Sequence, residues 1–150
     1  MKKNQLIQLL SLLILVIAIS CNDTNDDNAP RAPFSGNWKV VAIQLPEEQT
    51  PFNAPANESI IISFISSDRF SGETEKNQFQ GRYEFNDSIF TMLDFSTTEF
   101  DDMSFAVAFY DAITLAQIPD QSFVEFTYSF NGPVLILRFA DSGQMTLEKQ

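Results

Sequence analysis

Apolar and polar residues alternate through most of the chain after residue 36, the period of an extended strand with one buried face. In residues 37–45, Trp38, Val40 and Ala42 point one way and Val41, Ile43 and Leu45 the other. Residues 59–65 are a β-branched run that predicts a second strand. Between them residues 46–57, with Pro46, Pro51, Pro55 and the pair Glu47-Glu48, predict a loop. Ser66-Ser67-Asp68 then turns the chain into residues 69–83. That stretch reads as a short strand, a turn opened by Gly72, a polar loop through Asn77 and a second strand entered at Gly81. After Tyr83 and Phe85, Asn86-Asp87 leads into a strand over 88–93, with a brief extension from Phe95.

The period then changes. Phe105, Ala108, Phe109, Ala112, Ile113 and Ala116 form the apolar stripe of an amphipathic helix. Asp101 and Asp102 fall at its start, where carboxylates cap free amides and meet the positive end of the helix dipole, and Pro119 closes it. Strands over 122–130 and 134–139 follow, and a last one carries Met145 and Leu147. Asn131-Gly132 predicts a hairpin turn with positive φ at both positions. Fifteen phenylalanines and the β-branched runs point to a mainly β fold with one helix.

The first 20 residues follow a different logic. Lys2 and Lys3 precede an apolar run over 6–19, and the small residues Ala18 and Ser20 lead to Cys21. This is the layout of a secretory signal peptide, and its end resembles a bacterial lipobox with Cys21 as the lipid-modified first residue. The run is short for a helix spanning about 30 Å of hydrocarbon. Residues 21–34 are polar, acidic and proline-bearing, a tether with nothing to bury. They lack the glycine and late glutamate of a calcium loop. The acidic run after the cysteine resembles export signals of surface lipoproteins, and the resemblance implies a chain held by its lipid in a Gram-negative-type outer membrane and exposed at its surface. Asp87-Ser88-Ile89 resembles an O-glycosylation acceptor of lineages with such proteins. Residues 35–150 then make one domain.

Composition narrows the chemistry. Without Lys2 and Lys3, seven basic residues face 20 acidic ones, a surface that repels phosphate backbones and disfavours nucleic acid. There is no histidine, and Cys21 is the single cysteine. Disulfides within the chain, histidine- or cysteine-based metal sites and the common nucleophile–base pairs are therefore excluded. Nothing marks two carboxylates as facing one cleft, so the reading is a non-enzymatic, monomeric domain without cofactor or metal.

The stretch Arg69-Phe70-Ser71-Gly72, then Asn77, then Gly81-Arg82-Tyr83 resembles the signature of the META (HslJ-like) family of bacterial envelope domains. The initial Gly36-Asn37-Trp38, the pair Ser96-Thr97, the late helix and the closing hairpin extend the resemblance over most of residues 36–149. It implies a small up-and-down, barrel-like antiparallel sheet of about eight strands packed against one α-helix. It supplies no catalytic residues. Lys76 and Asp101 stand where members carry two cysteines, which implies an opposite-charge pair between the motif loop and the helix start, with Lys76 near Asp101 or Asp102. Arg69, Phe70, Gly72, Asn77, Gly81 and Tyr83 are either structural or ligand-facing. The functional expectation is a lipid-anchored envelope protein that binds or stabilises other envelope components. The alternative is a lipocalin-like carrier of a small apolar ligand inside the barrel.

Overall fold

The computed structural model describes residues 33–150. The strands are β1 (Gly36–Gln44), β2 (Phe52–Asn53), β3 (Ile61–Phe64), β4 (Arg69–Glu73), β5 (Gln78–Phe85), β6 (Ile89–Met92), β7 (Ser96–Thr97), β8 (Val124–Asn131), β9 (Val134–Phe139) and β10 (Gly143–Lys149). A single helix, α1 (Ser104–Leu115), lies among the described residues, between β7 and β8. Eight strands pair in the order β1-β3-β4-β5-β6-β8-β9-β10, and β10 returns to β1, from Trp38 opposite Lys149 to Gln44 opposite Gln144. Every pairing is antiparallel, so the sheet is a closed up-and-down barrel. The two extra strands are short: β2 pairs with β1, and β7 continues the edge that β6 presents to β5.

Alternation decides which residues face inward, with one slip. Trp38, Val40 and Ile43 are buried in β1, and the β10 register shifts between Val40 and Ala42. A bulge at Val41 therefore moves the inward set from Ala42 to Ile43, against the strict alternation expected from the sequence. In β9, Leu135, Leu137 and Phe139 face in and Arg138 faces out, as the pattern predicts. The turn after β8 differs from expectation. Asn131 stays in the strand opposite Val134, and Gly132-Pro133 forms the loop, with positive φ at Gly132 alone. Proline fixes a negative φ, so the two-positive turn is unavailable here.

Both mouths of the barrel are covered. Phe34, placed in the tether by the sequence reading, is fully buried at the mouth where β3 ends and β4 begins. Its ring centroid lies 4.7 Å from that of Phe64, 5.3 Å from Phe90 and 5.4 Å from Phe85 and Tyr128. The Trp38 indole Nε1 donates to the Phe34 carbonyl at 2.6 Å, which fixes where the chain enters. The other mouth receives the two long connections, β1 to β3 and β6 to β8, and α1 lies across it. Phe105, Ala108, Phe109, Ala112 and Ile113 are its buried face, as the 3.6-residue period predicts. Phe105 meets Phe52 edge-on at 5.5 Å, and Phe109 meets Phe79 at 5.1 Å.

The helix is not capped as expected. Met103 occupies the N-cap with no side-chain hydrogen bond, and no acidic residue lies in the first turn. Asp102 turns away toward the β4–β5 hairpin, and the carboxylate of Glu58, on the β1–β3 connection, accepts from the Phe105 amide at 2.8 Å. Glu58 is buried, and its negative charge meets the helix dipole's positive end in a site with little water. One residue thereby ties the two long connections to each other.

Glu58→Ala should lower stability by about 1–3 kcal/mol, since it leaves a buried amide without an acceptor as well as removing the cap. Glu58→Gln keeps an acceptor oxygen and should recover part of that loss. Urea denaturation of the three proteins measures the order; equal stability of the wild type and the alanine variant would contradict the assignment.

Candidate functional site

The motif residues divide between core and surface. Phe70 and Tyr83 are fully buried and face inward. Gly72 stands directly opposite Phe79, and Gly81 directly opposite Phe70. A Cβ at Gly72 would meet the Phe79 ring and the Ile61 carbonyl, and one at Gly81 would meet the Asp94 carbonyl and the Phe70 ring. Each glycine leaves a gap that the opposing ring occupies, a cross-strand device that packs aromatics where two side chains would not fit. Both glycines lie inside strands. The turn between β4 and β5 is made instead by Thr74–Asn77, where the Thr74 amide donates to the Asn77 carbonyl at 2.8 Å.

Asn77 is buried and carries the most connected side chain of the motif. Its Nδ2 donates to the Phe100 carbonyl at 2.8 Å and to Asp102 Oδ2 at 2.9 Å, while its Oδ1 accepts from Thr98 Oγ1 at 2.8 Å and from the Phe100 amide at 2.9 Å. Thr74 Oγ1 also donates to Asp102 Oδ2. The motif loop and the segment before α1 therefore do meet, but through Asn77, Thr74 and Asp102. Lys76 and Asp101 are both exposed and form no ion pair among the described residues, where the ion pair is Arg82 with Asp94. A neutral amide can satisfy four partners in a buried space that an exposed lysine has no reason to enter. Cys21 lies outside the described residues. Ser88 is exposed at the β5–β6 turn, its amide donating to Asn86 Oδ1.

Arg69 is the motif residue with no structural duty: its side chain makes no hydrogen bond or ion pair among the described residues. It points to the outer face of β3, β4, β5 and β7, where two adjoining concavities open, about 570 and 300 Å³ in volume. Strand register arranges their lining in rows. Ser63, Ser71, Gln80 and Ser96 stand side by side across four strands. Ile61, Glu73 and Gln78 form the row toward α1, and Arg69 and Arg82, with Asp94, the row toward the Phe34 mouth. The side chains of Ser63, Ser71, Gln78 and Gln80 make no hydrogen bond to the described protein, so their hydroxyls and amides face solvent ready to exchange it for a ligand. The sequence reading missed these residues. Each is the polar partner in an alternating strand, but only the register shows that they share one surface.

Charge in the groove is uneven. Arg82 Nε donates to Asp94 Oδ2 at 2.6 Å and its backbone amide to Oδ1 at 2.8 Å. Those two hydrogen bonds, helped by the nearby Arg69 charge, hold the Asp94 carboxyl below its usual range. No group of three or more potential metal-ligating side chains is found among the described residues, nor a helix long and apolar enough to cross a membrane.

Tyr83 supplies a pH test of the core beneath this face. Its hydroxyl donates to the Ser66 carbonyl at 2.7 Å, and burial, with the Asp68 charge, pushes its pKa up to about 12. The unfolded phenol ionises near pH 10, so this contribution is whole below pH 10 and is lost as pH rises from about 10 to 12. Stability measured by urea melts should fall over that interval. Tyr83→Phe should cost about 1 kcal/mol at neutral pH and show a shallower alkaline decline. Matching slopes in the two proteins would rule out Tyr83 as the source.

No family model matches the chain, and no curated protein does. Solved structures resemble it in three dimensions. An NMR structure of a protein from Burkholderia xenovorans superposes with a TM-score of 0.58 at 15% identity, covering 77% of this chain and 82% of that one. A crystal structure of an uncharacterized protein from Bacteroides eggerthii gives 0.48 at 15% identity, covering 77% and 98%. A lipocalin-like protein from Bacteroides uniformis gives 0.49 at 14% identity, covering 77% and 97%. At these identities the likeness to the Burkholderia protein is one of fold alone.

Proposed function

We propose that this chain is a non-enzymatic, lipid-anchored protein of the bacterial outer membrane. Its META-like barrel binds an envelope component on the outer groove over β3, β4, β5 and β7. The observation that carries the reading is the contrast between inside and outside. Trp38, Tyr83, Phe34, Phe70, Phe90, Phe105, Phe109 and Phe126 are all fully buried, so aromatic rings occupy the barrel interior. An eight-stranded barrel is just wide enough to be filled by side chains, and this one is supplied with large ones. The outer groove, by contrast, presents polar side chains without protein partners. A carrier of apolar molecules needs the opposite distribution, an apolar space left open. Anchoring rests on Cys21 at the end of the apolar leader, and the family reading on the motif, whose Asn77 and glycines have specific places in the fold.

Two measurements test this. Wild-type protein should fractionate with membranes and show no free thiol at Cys21 by mass spectrometry, and Cys21→Ala should leave a soluble or uncleaved product. The neutral apolar fluorophore N-phenyl-1-naphthylamine should show no saturable binding to the folded protein. Saturable binding abolished by enlarging an interior residue, such as Val40→Phe, would establish the carrier instead.

A further inference from the structure

We infer that the outer groove recognises an oligosaccharide bearing a carboxylate at one end, with Arg69 and Arg82 as the carboxylate site. The inference rests on the proposed outer-face binding and names its ligand class. It starts from an arrangement that folding alone does not favour. Arg69 and Arg82 are direct cross-strand partners. The Tyr83 amide donates to the Asp68 carbonyl at 2.8 Å and the Thr74 amide to the Asn77 carbonyl at 2.8 Å, which places Arg69 and Arg82 at a non-hydrogen-bonded position of the ladder. Side chains approach most closely at such positions, and like charges there oppose pairing. The chain has only nine basic residues against 20 acidic ones, yet two of them share this spot.

Asp94 relieves half of the conflict. It engages Arg82 through Nε and the backbone amide, leaving both Arg82 Nη groups without a partner among the described residues. Arg69 keeps its whole donor fork. Two guanidinium groups against one carboxylate leave a net positive spot with several directed donors. A second carboxylate, on a ligand, is the charge and geometry that completes it.

The rest of the groove decides what that carboxylate is attached to. Strands β3, β4 and β5 are each paired on both sides, so their backbone amides and carbonyls are spent within the sheet, and β7, paired on one side with β5, is only two residues long, too short an edge to zip onto a peptide strand. What remains, beside the half-buried Ile61, is hydroxyl and carboxamide: Ser63, Ser71, Gln80 and Gln78, groups that both donate and accept and so suit the hydroxyls of a sugar. Glu73 stands four residues along β4 from Arg69, about 13 Å at strand spacing, and repels further negative charge at that end. A ligand acidic throughout is thereby disfavoured. A saccharide with its acid at the Arg69 end and neutral residues running toward Glu73 fits the polarity.

The test titrates the full-length lipidated chain in neutral detergent with 3′-sialyllactose, following backbone amide shifts by NMR. Lactose, acetate and a glutamate-rich peptide are the comparison ligands. Sialyllactose should shift Ser71, Gln80 and Arg82 saturably, and bind at least about tenfold tighter than lactose or acetate, the worth of one good charge-assisted pair. Arg69→Gln, a side chain that holds nothing in the fold, should reduce sialyllactose affinity by a similar factor and leave lactose unchanged. Glu73→Gln should not weaken binding. Absence of saturable sialyllactose shifts in the groove, affinity unaffected by Arg69→Gln, acetate matching sialyllactose, or the acidic peptide binding as tightly each overturns the proposal. If one of those results comes with saturable groove shifts from lactose or the peptide, the outer-face reading stands and only this ligand class is removed. A groove silent to every ligand, together with saturable N-phenyl-1-naphthylamine binding, would remove both.

Discussion

A sheet that closes on itself has no lateral edges to protect, but it has two mouths, and apolar interior lining there would otherwise meet water. The structure depends on covering both. At one, Phe34 enters from the N-terminal side and sits among Phe64, Tyr83, Phe85, Phe90 and Tyr128. At the other, α1 lays Phe105 and Phe109 over the openings left by two long connections. The hairpins between β3 and β6, and those joining β8, β9 and β10, are short. The chain's excess length is spent where a lid is required.

That economy explains the division of labour in the motif. Gly72 and Gly81 make room for rings, Asn77 fastens the β4–β5 hairpin to the segment leading into the lid, and Phe70 and Tyr83 fill the interior. Glu58 does the complementary task from the other connection by holding the first turn of α1. The lid is thus pinned from two sides by polar side chains whose partners are distant in sequence. Buried polar groups of this kind contribute little net stability each, but losing one partner strands the other, so they fix position more than they add energy. With the interior so committed, the outer face is where residues are left free to meet something else.

Periodicity carried most of the fold. The strand stretches, the helical stripe from Phe105 and the inward set of β9 all follow from spacing, because each element buries one face against a common interior. What spacing did not carry was anything set by a distant partner. The bulge at Val41 answers the register of β10, more than a hundred residues later in the chain. Glu58 reads as a loop carboxylate until the helix is placed over it. Asp101 and Asp102 read as caps because proximity in sequence favours them, yet Asp102 is drawn to Thr74 and Asn77 instead. The pairing of Lys76 with Asp101 rested on a family resemblance and not on physical chemistry, and the motif loop meets the segment before α1 through Thr74, Asn77 and Asp102 instead. The groove was least legible of all, since Ser63, Ser71, Gln80 and Ser96 become one surface only through three successive pairings.

The seam between β1 and β10 has a kinetic meaning. Trp38 cannot find Lys149 until nearly the whole chain is available, so the final closure is among the most non-local contacts the fold can have. Topologies of high contact order reach the native state slowly. Until then β1 and the growing meander each expose an unpaired ladder, the sort of template on which strands of other molecules add. A chain with so few cations against 20 carboxylates carries its own defence for that interval, because unfinished copies repel one another. The acidity that leaves Arg69 and Arg82 so conspicuous on the finished surface also guards the passage to it.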